Sequence, residues 1–119
     1  MIQSIDDKIY TIESLSESIN SIKEKGEKVV FTNGCYDIIH PGHVRYLLEA
    51  RKAGDYLIVA VNSDESVKTL KGDKRPINCL SERMTVLAGL YFVDFSFRWF
   101  SHTIAIEDEV VCIDSLVSL

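Results

Sequence analysis

One stretch limits what this chain can fold into. An apolar run, Val29-Val-Phe31, leads into Asn33-Gly-Cys-Tyr-Asp37-Ile-Ile-His40-Pro-Gly-His43, and an amphipathic segment starts at Val44. The order reads as strand, tight loop, helix. His40 and His43 stand three residues apart around a Pro-Gly pair, where the helix should begin. Residues i and i+3 share a helix face, so both imidazoles can address one spot. The first N–H groups of a helix lack internal partners, and the helix dipole adds partial positive charge there. Such an end is ready for an anion. Pro41 suits a first helical position because its missing N–H would have been unpaired anyway. Gly42, with no side chain, would let a phosphate approach the backbone.

The rest of the chain supports that layout. Ile12, Leu15, Ile19 and Ile22 recur at helical spacing, with Ser14-Leu-Ser-Glu17 as a capping box and Gly26 as the stop. Residues 1–10 are polar and read as irregular. Lys28 to Thr32 and Tyr56 to Val61 are unalternating and β-rich, as expected of parallel strands covered on both faces. Between them Val44, Leu47 and Leu48 form an inward stripe, Arg45, Glu49 and Lys52 face water, and Gly54 ends the helix. This is one right-handed βαβ unit. Ligands in such sheets bind at the carboxyl ends of the strands, where Asn33 to His43 and Asn62 to Asp64 fall. Residues 63–79 are polar, carry Gly72 and Pro76, and read partly as a mobile loop rich in cations: Lys68, Lys71, Lys74 and Arg75. Ser81 is the expected cap of a helix with Met84, Leu87, Ala88 and Tyr91 on its buried face. A third strand is expected from about Val93, and another at Val110 to Ile113. The fold class is α/β, a Rossmann-like doubly wound parallel sheet in a single domain, incomplete in its C-terminal half.

Composition narrows the function classes. With 119 residues and a formal net charge of −5, the chain is one domain without the basic surface that coats nucleic acid. Cys35, Cys79 and Cys112 lack CxxC spacing, so no disulfide or zinc framework is implied. The N-terminus shows no signal peptide, and no apolar run approaches the roughly 20 residues of a membrane span. The expectation is a cytoplasmic chain with no membrane and no nucleic-acid partner; homo-oligomerisation stays open.

The longer pattern resembles a known family. His40-Pro-Gly-His43 is similar to the HxGH signature of the nucleotidyltransferase superfamily. Phe31 to His43, Ala60-Val-Asn-Ser-Asp64, Leu70-Lys-Gly-Asp-Lys-Arg-Pro76 and Glu82-Arg-Met84 together resemble the adenylyltransferase domain of bacterial heptose kinase/adenylyltransferases. The resemblance covers roughly residues 11–94. Beyond it, Phe95-Ser-Phe-Arg-Trp-Phe-Ser-His102 is dense in aromatics, and the Lys-Gly-Gly-Asp-Tyr-like and Ser-Thr-Thr-rich stretches of that family do not follow. Residues 95–119 therefore read as an atypical tail, a truncation or an out-of-frame ending. Poor packing is expected there, with Phe97, Trp99, Phe100, Val111 and Leu116 exposed. His102 reads as a surface residue.

The resemblance implies AMP transfer from ATP to a sugar 1-phosphate, D-glycero-β-D-manno-heptose 1-phosphate. The products are ADP-heptose, for lipopolysaccharide, and pyrophosphate, with Mg²⁺ accompanying ATP. The candidate catalytic residues are His40, His43, Lys71 and Arg75. The implied nucleotide-binding set is Thr32, Asn33, Gly34, Cys35, Tyr36, Asp37, Gly42 and Arg83. Asn62, Ser63 and Asp64 are the candidate substrate contacts, and no protein-held metal is assigned. Simpler readings compete. Asp37 is a residue type that hydrogen-bonds loop backbone, and Cys35 reads as buried filler. Lys71, Arg75 and Arg83 read as surface charge, although Arg83 in the first turn of a helix opposes the dipole. A metal site of Cys35, His40 and His43 lacks the paired spacing of zinc ligands. Two other activities stay open: a cytidylyltransferase acting on a polyol or amino-alcohol phosphate, and a truncated module that only binds nucleotide.

Overall fold

The computed structural model describes residues 3–99 and, as backbone, the strand at 110–112. In chain order, a 3-10 turn (Asp6–Lys8) leads to β1 (Ile9–Tyr10), α1 (Ile12–Glu24), β2 (Val29–Gly34), α2 (Pro41–Lys52) and β3 (Tyr56–Asn62). Then come α3 (Asp64–Lys71), α4 (Leu80–Ala88), β4 (Phe95–Trp99) and β5 (Val110–Cys112). The sheet order is β1-β4-β3-β2-β5. The first four of these strands run parallel, and β5 lies antiparallel on the far side of β2. Val29 pairs with Tyr56 and Gly34 with Val61, so the carboxyl ends of β2 and β3 lie side by side.

Strand alternation decides which helix covers which face. Val29 and Phe31 of β2, Ile58 and Ala60 of β3, and Phe95 and Phe97 of β4 form one core with Leu15, Ile19 and Ile22 of α1. Val30, Leu57, Val59 and Val61 point the other way, onto Leu47 and Ala50 of α2 and Leu87 of α4. Both faces are covered, which is why neither strand alternates in sequence. The sheet is Rossmann-like, as expected. Asp94 clips its opposite edge by accepting the Leu57 N–H at 2.8 Å and the Arg51 Nε at 3.0 Å.

Several local expectations are corrected. Residues 9–10 are not irregular: they add a short parallel strand to β4. The cap of α1 is Thr11, with Ser14 in the third position, rather than Ser14 with Glu17. Residues 64–71 are a helix rather than loop, because Ser63 caps it by accepting the Ser66 N–H at 3.2 Å and Val67 anchors it in the core. The cap position of α4 is Cys79 rather than Ser81. Tyr91 falls beyond the end of that helix and is 82% exposed. Phe97 and Trp99 do not form an exposed patch. Phe97 is buried, and the Trp99 ring packs 5.4 Å from Phe31 and 6.1 Å from Phe97. The expectations for the side chains of Phe100, His102, Val111, Ile113 and Leu116 lie outside the described residues.

Candidate functional site

The site is built at the carboxyl edge of β2 and β3. Pro41 is the first residue of α2 and His40 its N-cap. The His40 Nδ1 accepts the Gly42 N–H at 3.0 Å, and the His43 Nδ1 accepts the His40 N–H at 3.2 Å. The two imidazoles form a reciprocal cap, with ring centroids 4.1 Å apart. Because each Nδ1 is an acceptor, each neutral ring carries its proton on Nε2. The sequence expected convergence, and the structure adds the tautomer: a pair of Nε2–H donors.

The structure gives Gly42 a reason of its own, besides the expected approach of a phosphate. Its N–H is already taken by His40, and a Cβ there would stand 2.6 Å from the His40 Cε1. Glycine is needed so that the ring can lie over the helix end. Gly34 plays a similar part for Tyr36, whose ring atoms would be 2.9 Å from an added Cβ. Tyr36 takes a positive φ of 50°, and its ring meets His43 edge-on at 5.7 Å.

A cavity of about 130 Å³ opens beside this cap, lined by Cys35, Tyr36, Asp37, Ile38, His43, Lys71 and Arg75. The fold thus brings together His43 from α2, Lys71 from the last turn of α3, and Arg75 from the following loop. A larger groove of about 600 Å³ runs along α3 and residues 73–79, and Arg75 lines both spaces.

Asp37 joins the two loops. Its buried carboxylate accepts the Arg75 Nε and the N–H groups of Ile77 and Asn78, each at 2.9 Å. In return the Asn78 Nδ2 donates to the Asp37 carbonyl at 2.7 Å. This is the loop-holding reading, rather than a carboxylate open to nucleotide. Burial alone would raise the Asp37 pKa, but the Asn78 and Ile77 N–H groups and the Arg75 guanidinium outweigh it and hold it below the ordinary 3.8. A carboxyl that is more acidic folded than unfolded contributes stability above its unfolded pKa. That contribution is lost as pH falls through the folded value. The wild-type urea midpoint should therefore drop more between about pH 6 and about pH 3 than that of Asp37→Asn; equal drops would exclude this contribution.

Arg83 was expected to face the nucleotide. It is instead 1% exposed. Its Nε donates to the Asn78 carbonyl at 2.9 Å. One terminal nitrogen donates to the carbonyls of Cys35 at 2.7 Å and Asn62 at 2.8 Å, and the other to the Asp64 carboxylate at 2.7 Å. Four of its five donors hold the site's own framework. Asp64 correspondingly pairs with Arg83, Ser63 caps α3, and buried Asn62 donates to the Cys35 Sγ at 3.4 Å. These three expected substrate contacts therefore act first in construction. Thr32 and Asn33 are buried in β2, with the Thr32 hydroxyl 3.4 Å from that of Tyr46. Cys35 is buried, as the filler reading expected. The described residues contain no group of three or more His, Cys, Asp or Glu side chains arranged for a metal ion. Among them no helix is long and apolar enough to cross a membrane.

Comparison with known proteins follows the same outline. The chain is 63% identical over 87 residues to the bifunctional protein HldE of Actinobacillus succinogenes, covering 73% of this chain and 18% of that protein. It is 63% identical over 81 residues to the HldE of Haemophilus influenzae, covering 68% of this chain and 17% of that one. The chain thus spans less than a fifth of these curated relatives. Among solved structures, it resembles the lipopolysaccharide core biosynthesis protein of Thermoplasma volcanium. The TM-score is 0.59 and the identity 30%, over 66% of this chain and 63% of that one. Residues 31–98, from the end of the first apolar run through β4, match the cytidylyltransferase-like family. With the His-Pro-Gly-His cap, the Lys71–Arg75 segment and the sheet edge inside that span, the chain belongs to the cytidylyltransferase-like family of nucleotidyltransferase domains.

Proposed function

We propose that this chain transfers AMP from ATP to a sugar 1-phosphate, with D-glycero-β-D-manno-heptose 1-phosphate as acceptor. The products are ADP-heptose and pyrophosphate, in the cytoplasm, for lipopolysaccharide core synthesis. One observation carries the reading: His43, Lys71 and Arg75, from three separate elements, line one cavity beside the capped end of α2. The identity to HldE proteins and the likeness to a lipopolysaccharide core biosynthesis protein supply the sugar context.

In the proposed reaction an oxygen of the acceptor phosphate attacks the α-phosphorus of ATP. The bond from that phosphorus to the β-bridging oxygen breaks, and pyrophosphate leaves with the charge. The attacking oxygen is already anionic, so no strong base is required. Rate comes from positioning and from donors that meet the negative charge as it spreads. The Nε2–H groups of His40 and His43, the Lys71 ammonium and the Arg75 guanidinium are those donors. Mg²⁺ would neutralise triphosphate charge. Asp37, the acid on the cavity, already holds Arg75 and two N–H groups, so such an ion fits best on phosphate oxygens and water.

A second reading, CTP with a polyol or amino-alcohol phosphate, is favoured by the family that residues 31–98 match. Pyrophosphate release with ATP or CTP, each paired with heptose 1-phosphate, glycerol phosphate or phosphocholine, separates the two. The proposal expects release only with ATP and the sugar phosphate. Release only with CTP and an alcohol phosphate would replace it with the second reading.

A further inference from the structure

We infer that Asp37 is a positioning residue that works through Arg75, fixing where the terminal guanidinium nitrogens stand at the cavity. The inference rests on the proposed function for its kinetic readout, but not for its binding readout.

Asp37 takes the Arg75 Nε, not the terminal fork, and among the described residues the fork has no protein partner. An arginine held by Nε keeps two nitrogens for a phosphate, in a plane set by the carboxylate. Arg75 lines the small cavity together with His43 and Lys71, and it also forms part of the larger groove. It therefore stands on the wall between them. Its position cannot come from the loop alone: residues 72–79 are mostly exposed, and Gly72 before them has φ of 106°. Asp37 supplies the missing constraint. It gathers Arg75, Ile77 and Asn78 from a segment about 40 residues away, and Asn78 closes the clasp by donating back to the Asp37 carbonyl. The groups that meet the carboxylate, the Arg75 Nε and the N–H groups of Ile77 and Asn78, are all donors. An amide in its place would turn an NH₂ group toward at least one of them, so Asn is not equivalent here.

Lysine at position 75 separates aim from charge. It keeps the charge, but its single nitrogen cannot engage Asp37 and also present a fork. The experiment is a cycle of Asp37→Asn, Arg75→Ala and the double variant, with Arg75→Lys alongside. Each is read by kcat, by KM for ATP and by Mg-ATP affinity from calorimetry. Arg75→Ala and Arg75→Lys should each lower kcat by about 10²-fold, the scale of one lost preorganised donor. Asp37→Asn should cost a similar factor alone and almost nothing further in the Arg75→Ala background, because linked residues are non-additive. Free guanidinium should restore part of the activity of Arg75→Ala and little of that of the double variant. Multiplying effects, equal guanidinium rescue in both backgrounds, or near-normal Arg75→Lys would each overturn the inference. If Asp37→Asn does not fold, Asp37→Glu takes its place in the cycle: moving the carboxylate by one methylene should lower kcat beside Arg75 and cost almost nothing further beside Arg75→Ala, and multiplying effects would overturn the inference. If the wild type transfers no nucleotide to any sugar phosphate, the proposed function fails. The same cycle read by Mg-ATP affinity then still tests the link between Asp37 and Arg75.

Discussion

Replacing His43 with Ala should lower turnover by about 10²-fold or more, the loss typical of one preorganised transition-state donor. His40→Ala should do the same. The structure adds a stability effect to both. Each ring also caps α2 through its Nδ1, and losing a cap costs about 1 kcal/mol. The Ala variants should melt a few degrees lower while remaining folded. His40→Asn separates the roles: Asn is among the best N-cap residues, so stability should stay near wild type while activity is lost. Initial rates of pyrophosphate release and thermal melts of the three variants check this. Normal rates in folded Ala variants would remove both histidines from the chemistry.

Arg83→Ala should have the largest effect on stability. It strips donors from the carbonyls of Asn78, Cys35 and Asn62 and from the Asp64 carboxylate. Buried acceptors left unsatisfied cost about 1–3 kcal/mol each, and breaking a buried charge pair costs about 3–5 kcal/mol. Asp64 is 43% exposed in its side chain, so water recovers part of its share. An overall loss of about 3–5 kcal/mol is expected, a large part of the 5–15 kcal/mol that holds a typical domain together. Arg83→Lys should rescue little, since one ammonium cannot span carbonyls from two strand ends and a loop. Urea unfolding midpoints measure this. A loss below about 1 kcal/mol in Arg83→Ala would mean that the guanidinium is not the site's brace.

Arg83 also shows where sequence reading reached its limit. A cation in the first turn of a helix opposes the dipole, and that mismatch pointed to a ligand as the partner of Arg83. The partners are instead the protein's own carbonyls and the Asp64 carboxylate. Asp37 is similar: its loop-bonding habit was legible, but the bonds go to residues about 40 positions later, and no local pattern encodes such a pairing. Local signals did better. The continuous apolar runs of β2 and β3 announced parallel strands covered on both faces, and Pro41 and Gly42 placed the start of α2. Short elements were missed where signals overlapped. Ser14 and Glu17 matched the capping-box pattern although the cap is Thr11, three residues earlier, and Gly72 and Pro76 made a polar helix look like loop. β1, only two residues long, depends on pairing with β4 far along the chain.

The central claim is that the histidine-capped end of α2, with Lys71 and Arg75, is where nucleotide phosphate binds. It is tested most directly by titrating the full 119-residue chain with Mg-ATP and following its amide and guanidinium NMR signals. The account predicts saturable shifts centred on Gly42, His43, Lys71 and the Arg75 guanidinium, with Asp94 and the amino ends of the strands unmoved. Saturable shifts confined to other parts of the chain, or no shifts at millimolar Mg-ATP, would contradict it.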